Sequence, residues 1–259
     1  MPGIALVVLI GASGCGLSDY QSRMDAQRLR VEEFDEGNRL LDDPIDMPRI
    51  QFHDPKENTQ SERAAWDFEI FLRLPQGYGT TVKERIAFPD NFAVFRYAGG
   101  SEGASNIFVA AARVAEPEKK EPEFGKYTTE VFLSYVKPAL EDYYRRNFKA
   151  QVFPQQKSIE AAKEVKAVAA YPDPTGPGKI SYTFFTYADE GNAQVKDRHA
   201  FDVYLHKRAG KQVCIVFQRP LQPANAAKLR TSIEACLGSL DVTVEAATKR
   251  AEYRKAKRP

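Results

Sequence analysis

Ala200-Phe201-Asp202-Val203-Tyr204-Leu205, then a turn at Ala209-Gly210, then Val213-Cys214-Ile215-Val216-Phe217: this is the stretch that decides the fold. Both runs are dense in β-branched and aromatic residues, which suit a pleated and largely buried surface. Glycine at the turn can take the positive φ that a tight hairpin needs. The pattern predicts an antiparallel hairpin over His199 to Arg219.

Working outward, Lys179 to Asp189 and Val165 to Tyr171 read as two more strands on the N-terminal side of the hairpin. Farther back, Asn106 to Val114, Arg85 to Ala98 and Trp66 to Leu74 have the same character. They are punctuated by turns at Gly99-Gly100-Ser101 and Pro75-Gln76-Gly77-Tyr78-Gly79. Between the two sets of strands, Tyr127 to Phe148 carries Val131, Tyr135, Leu140 and Tyr144 at helical spacing; Pro138 should kink this helix or divide it. After the hairpin, Pro223 opens a helix from about Ala224 to Leu237. Ala227, Leu229, Ile233, Cys236 and Leu237 lie mostly on one side of it, and Gly238 is its stop. Strands in runs, with helices between and after them, imply an α+β domain over residues 64–243: an antiparallel sheet packed by helices.

Leu74-Pro75-Gln76-Gly77-Tyr78 at the end of an early strand, the central helix, the strand meander and the closing Ser232-Ile233-Glu234-Ala235-Cys236-Leu237-Gly238-Ser239-Leu240 together resemble the PsbP-like fold. That α/β/α sandwich family includes photosystem accessory proteins and Ran-binding relatives of the Mog type. The resemblance implies a fold and a tendency to act by binding partners, and it transfers no catalytic residue.

The N-terminus reads differently. Ile4-Ala5-Leu6-Val7-Val8-Leu9-Ile10 is continuously apolar, Gly11-Ala12-Ser13-Gly14 are all small, and Cys15 follows at once. The apolar run is far shorter than the roughly 20 residues a spanning helix needs, while small residues before a cut suit a signal peptidase. Ala12-Ser13-Gly14-Cys15 resembles the bacterial lipobox, which implies a signal peptide over 1–14 and a lipid, with palmitate among its acyl chains, on Cys15. Met1-Pro2-Gly3 departs from that pattern in carrying no Lys or Arg. The bland alternative is a short buried strand ending in a chance cysteine. Gly16, rather than an acidic residue, after the cysteine implies by the same resemblance an outer-membrane rather than inner-membrane destination in the cell envelope.

From Ser18 the text becomes a charged amphipathic helix with Tyr20, Met24, Val31 and Phe34 near helical spacing. It reads as a solvated tether, or as a self-association seam. From Gly37 to about Arg63, prolines among polar residues suggest an extended linker, so residues 15–63 are expected to be a lipid-anchored tether and linker. The last stretch, 244–259, is a basic tail in which Lys249, Arg250, Arg254, Lys255, Lys257 and Arg258 surround Tyr253; it is read as a solubilising end, with contact to anionic headgroups as the alternative.

The 37 basic and 35 acidic side chains leave a net charge of +2, so the global field gives no case for nucleic acid as a partner. Three cysteines are an odd number for an exported chain. A lipid on Cys15 would leave Cys214 and Cys236 as a possible disulfide or as two buried thiols. The sequence carries no recognisable catalytic, metal or cofactor motif. His199 and His206, seven apart on one strand, fall on opposite faces and cannot share a metal. His53 stands in the linker. Glu116, Glu118, Glu121 and Glu123 alternate with lysines and prolines as in a solvated loop, and Asp142-Tyr143-Tyr144-Arg145-Arg146 reads as a packed face beside a wet one. These readings lead to an envelope lipoprotein, membrane-bound through Cys15, with a non-enzymatic protein-binding or accessory domain and an unidentified envelope protein as partner. A small-molecule or lipid carrier is the alternative and an unrecognised hydrolase the third.

Overall fold

A computed structural model describes residues 14–45, 70–82, 93–99, 106–113, 129–148, 153–168, 178–188, 199–208, 211–243 and 246–256. Seven strands form one sheet. They are β3 (Tyr78–Val82), β4 (Ala93–Gly99), β5 (Asn106–Arg113), β6 (Gln156–Lys166), β7 (Lys179–Ala188), β8 (His199–Arg208) and β9 (Lys211–Pro220). Their order is β3-β4-β5-β9-β8-β7-β6, every neighbouring pair is antiparallel, and β8 pairs with β9 from His199–Pro220 to Arg208–Lys211. A small second sheet joins β1 (Leu41–Pro44) to β2 (Arg73–Pro75).

The central strands β5, β8 and β9 are buried on both faces, which is why their text is apolar without strict alternation. Phe108, Ala110, Phe201, Val203, Leu205, Cys214 and Val216 face helix α2 (Thr129–Phe148). Ile107, Val109, Tyr204, Val213, Ile215 and Phe217 face the other way, toward helix α3 (Ala226–Gly238) and the small sheet. The result is the α+β sandwich expected from the sequence, with helices on both faces of an antiparallel sheet.

Helix α2 runs as one element through an exposed Pro138, rather than as two. It packs Val136, Ala139, Leu140, Tyr143 and Tyr144 onto the sheet, the i, i+3, i+4 rhythm of a core-facing stripe. Helix α3 starts two residues later than expected, where Asn225 Oδ1 accepts the Lys228 N–H at 3.0 Å. Gly238 is no left-handed stop. It is the last residue of the helix, and a Cβ there would meet the Lys166 carbonyl oxygen at 2.3 Å, so glycine serves close packing of α3 on the end of β6.

The tether and the tail also depart from the sequence reading. Residues 37–45 are not linker: Leu41 and Ile45 are buried in the same core as Ile70, Leu72 and Leu74. The tail is more than a solubilising end: helix α4 (Ala246–Ala256) buries Ala246 and Tyr253 against Phe71. Residues 1–13 of the expected signal peptide, the rest of the expected linker from 46 to 63 with His53, the first part of the strand expected from Trp66, the Glu116–Glu123 stretch and the Ala209-Gly210 turn lie outside the described residues.

Candidate functional site

Helix α1 (Gly14–Leu40) begins one residue before Cys15, so the backbone of that cysteine lies in its first turn. From Leu17 to Glu36, every side chain described is exposed, including Leu17, Tyr20, Met24 and Val31. An isolated helix of this length is marginal in water. Its local support includes Gln21 donating to Asp25 and an Arg28–Glu32 pair at 3.6 Å, each one turn apart.

The support at its other end is of a different kind. Arg73 stands in an otherwise apolar run, Ile70-Phe71-Leu72-Arg73-Leu74, and is 2% exposed. Its Nη1 donates to Asn38 Oδ1 at 2.7 Å, Nη2 to the Leu41 carbonyl at 3.0 Å and Nε to the Asp42 carbonyl at 2.9 Å. The Tyr253 ring from α4 covers the guanidinium at 4.8 Å, and the Tyr253 hydroxyl donates to Asp43 at 2.9 Å. Burial pulls the Arg73 pKa below its ordinary value, and Tyr253, Asp43 and Asp42 oppose that shift. The backbone joins in: the Arg73 N–H donates to Ser239 Oγ, which donates in turn to the Cys236 carbonyl. Asp42 accepts the N–H of Gly77, whose φ of 86° makes the turn after β2.

Two other sets of buried polar side chains pair among themselves. Asn106 donates to Tyr143 and to Gln218 on the α2 face, at 2.9 and 2.8 Å. On the α3 face, Asp202 takes Arg219 through both oxygens, at 2.5 and 3.2 Å, and the Thr186 hydroxyl at 2.9 Å. These arrangements hold strands together and leave their polar atoms occupied. His199 stacks on Phe148 of α2, whereas His206 lies against Tyr182 on the opposite face and donates from Nδ1 to the Ser181 carbonyl at 2.9 Å. Burial lowers the His206 pKa, and the Ser181 hydrogen bond partly offsets this.

The possible Cys214–Cys236 disulfide is not formed. Both are buried free thiols whose pKa values are raised by burial, and they sit in the cores on opposite faces of the sheet, so strand β9 itself separates them. Among the described residues, no group of three His, Cys, Asp or Glu side chains could hold a metal ion. No helix among them is long and apolar enough to cross a membrane. In Asp142–Arg146, Tyr143 and Tyr144 are buried while Arg145 and Arg146 are exposed. Sequence reasoning missed Arg73 and its partners, and the available signal was a lone arginine inside an apolar strand-like run.

These strands and helices define an α+β sandwich of one antiparallel sheet between helical layers. No family model and no curated protein matches the chain. Among solved structures it is similar to cyanobacterial PsbP from Synechocystis, at 14% identity and a TM-score of 0.40 over 79% of this chain and 94% of that one. It is also similar to the Ran-binding protein Mog1p of Saccharomyces cerevisiae, at 13% identity and a TM-score of 0.31 over 67% of this chain and 90% of that one. No residue role is carried across from either.

Proposed function

We propose that this protein is a lipid-anchored lipoprotein of the cell envelope, in which Cys15 carries the lipid, α1 leads away from the membrane and the sandwich domain is a non-enzymatic module that binds another envelope protein. The observation that carries this reading is the position of Cys15. It follows an apolar run and four small residues, and it lies in the first turn of a helix whose next described side chains all face solvent. A multiply acylated cysteine at that point would hold the chain stably at a bilayer surface. Gly16 after the cysteine favours the outer over the inner membrane.

The test is the intact mass of the protein purified from membranes beside a Cys15→Ala control. A chain starting at Cys15 with acyl mass added supports the anchor; an unmodified chain retaining Met1 removes it and returns residues 1–14 to the fold. For the binding module, cross-linking of the anchored protein in its native envelope should recover a specific partner, and substitutions on the domain surface should abolish that recovery. The carrier alternative has less support, because the aromatic rings between α2 and the sheet pack on one another. Tyr144 meets Phe153 and Phe201 at 5.6 and 5.9 Å, and Phe108 meets Tyr143 at 4.9 Å.

A further inference from the structure

We infer that Arg73, together with Gly37, locks α1 to the sandwich domain as one rigid body, making α1 a stiff spacer rather than a flexible tether. The exposed stretch from Leu17 to Glu36 would extend about 30 Å at the helical rise per residue. Spacer and domain would hinge, if anywhere, where the helix ends at Leu40 and β1 begins at Leu41. The acceptors of the one guanidinium straddle that joint: Asn38 is in the last turn of the helix, and the Leu41 and Asp42 carbonyls lie just beyond it. A guanidinium is a planar, preorganised fork, so rotation about the joint pulls at least one acceptor out of its plane. Arg73 is almost wholly buried, and water cannot take over the lost bond.

Other contacts close the joint from either side. The Leu40 carbonyl, one of the acceptors a helix leaves open at its end, takes the Gln76 N–H at 3.0 Å. Gly37 is buried, and a Cβ there would stand 2.9 Å from Val168 Cγ1, so the helix lies directly against the chain beyond β6. Val168 is held in turn by its N–H to the Gly238 carbonyl at 2.7 Å, which ties the contact to α3. The Tyr253 ring and its hydrogen bond to Asp43 add α4 to the same block.

The stiffness stands on these contacts alone. Its consequence, a fixed height of the domain above a bilayer, rests on the anchored reading of Cys15. The two are separable in a full-length chain carrying Cys15→Ser, with spin labels at Ser22→Cys on α1 and Ala227→Cys on α3, both exposed positions; Cys214 and Cys236 are buried from the reagent. Double electron–electron resonance should give a single narrow distance distribution, broadened by about twofold or more in Arg73→Met and in Gly37→Val. A broad distribution in the protein that keeps Arg73 and Gly37 would overturn the proposal, as would an unchanged narrow one in a folded Arg73→Met. Should Arg73→Met fail to fold, Gly37→Val and the parent protein decide by the same readings. A lipid-free Cys15 in the mass experiment would remove the anchor and leave the measured stiffness where it stands.

Discussion

Helices α1 and α2 carry nearly the same periodic text and meet opposite fates. In α2, Val136, Ala139, Leu140, Tyr143 and Tyr144 repeat at three and four residues and are all buried. In α1, Leu17, Tyr20, Met24 and Val31 repeat at three, four and seven, yet they are 75%, 62%, 45% and 46% exposed. Periodicity therefore reports a stripe and says nothing about whether the fold covers it. What separates the two is the surface on offer: α2 has a sheet face of aromatic rings beneath it, while Gly37 is the first buried residue among those described in α1. The stability of α2 is tertiary, and that of α1 comes from its docked end and from side-chain pairs one turn apart, such as Arg28–Glu32.

The largest expected effect is on the covered side. Phe201 is fully buried beneath Tyr144 and Phe153, so Phe201→Ala should cost about 3–5 kcal/mol in denaturant unfolding, with loss of near-UV circular dichroism from the ring cluster. A loss under about 1 kcal/mol would mean that the rings repack freely, and that α2 is held no better than α1. On the other face, Gly238→Ala forces a Cβ against the Lys166 carbonyl and should cost about 1–3 kcal/mol. A neutral result in the same unfolding experiment would show that α3 can lift from the end of β6.

The same contrast explains what could be read from the text alone. The hairpin of β8 and β9, strand β7, strand β5 and helix α3 were legible because burial on one or both faces selects apolar and β-branched residues. Strand β6 was not: the sequence places a strand at Val165–Tyr171, whereas the strand found is Gln156–Lys166. Its Glu160-Ala161-Ala162-Lys163-Glu164 has the composition of a helix, because β6 is an edge strand paired only with β7 and its Glu160, Ala161, Ala162 and Glu164 side chains lie in water. Strand β3 was hidden beside the Gly77 turn. The clasp at Arg73 was illegible for a different reason: its acceptors are two main-chain carbonyls and one asparagine over thirty residues upstream, and main-chain acceptors leave no mark in a sequence. Tyr253 showed only as the one aromatic in a basic tail.

A third effect belongs to the tail helix and depends on pH. Burial raises the pKa of Asp241, but hydrogen bonds from the Lys249 ammonium and from the Thr243 hydroxyl and N–H outweigh burial and leave it below the ordinary 3.8. A carboxylate whose folded pKa is depressed adds stability that is fully present above its unfolded value and is lost as the pH falls through the folded one. Asp241→Asn should therefore lower stability by about 1–2 kcal/mol near neutral pH, with the difference from wild type shrinking below about pH 4. Thermal melts across that range check this, and a difference independent of pH would place the effect in packing rather than charge.

The smallest effect is expected where the exposed stripe runs. Replacing Leu17, Tyr20 and Met24 together with glutamine removes exposed apolar side chains and puts residues of good helix propensity in their place. Each substitution should change unfolding stability by no more than about 0.5 kcal/mol, and far-UV circular dichroism should keep its helical signal. This near-silence discriminates, because the same triple variant in the native envelope tests whether the stripe is used. A stable, helical variant that loses its cross-linked partner would assign the stripe to binding. A stable variant that keeps the partner would leave α1 as a spacer and move the binding surface to the domain. A large loss of stability in the isolated protein would mean instead that α1 packs on its own chain, and the contrast with α2 would fail.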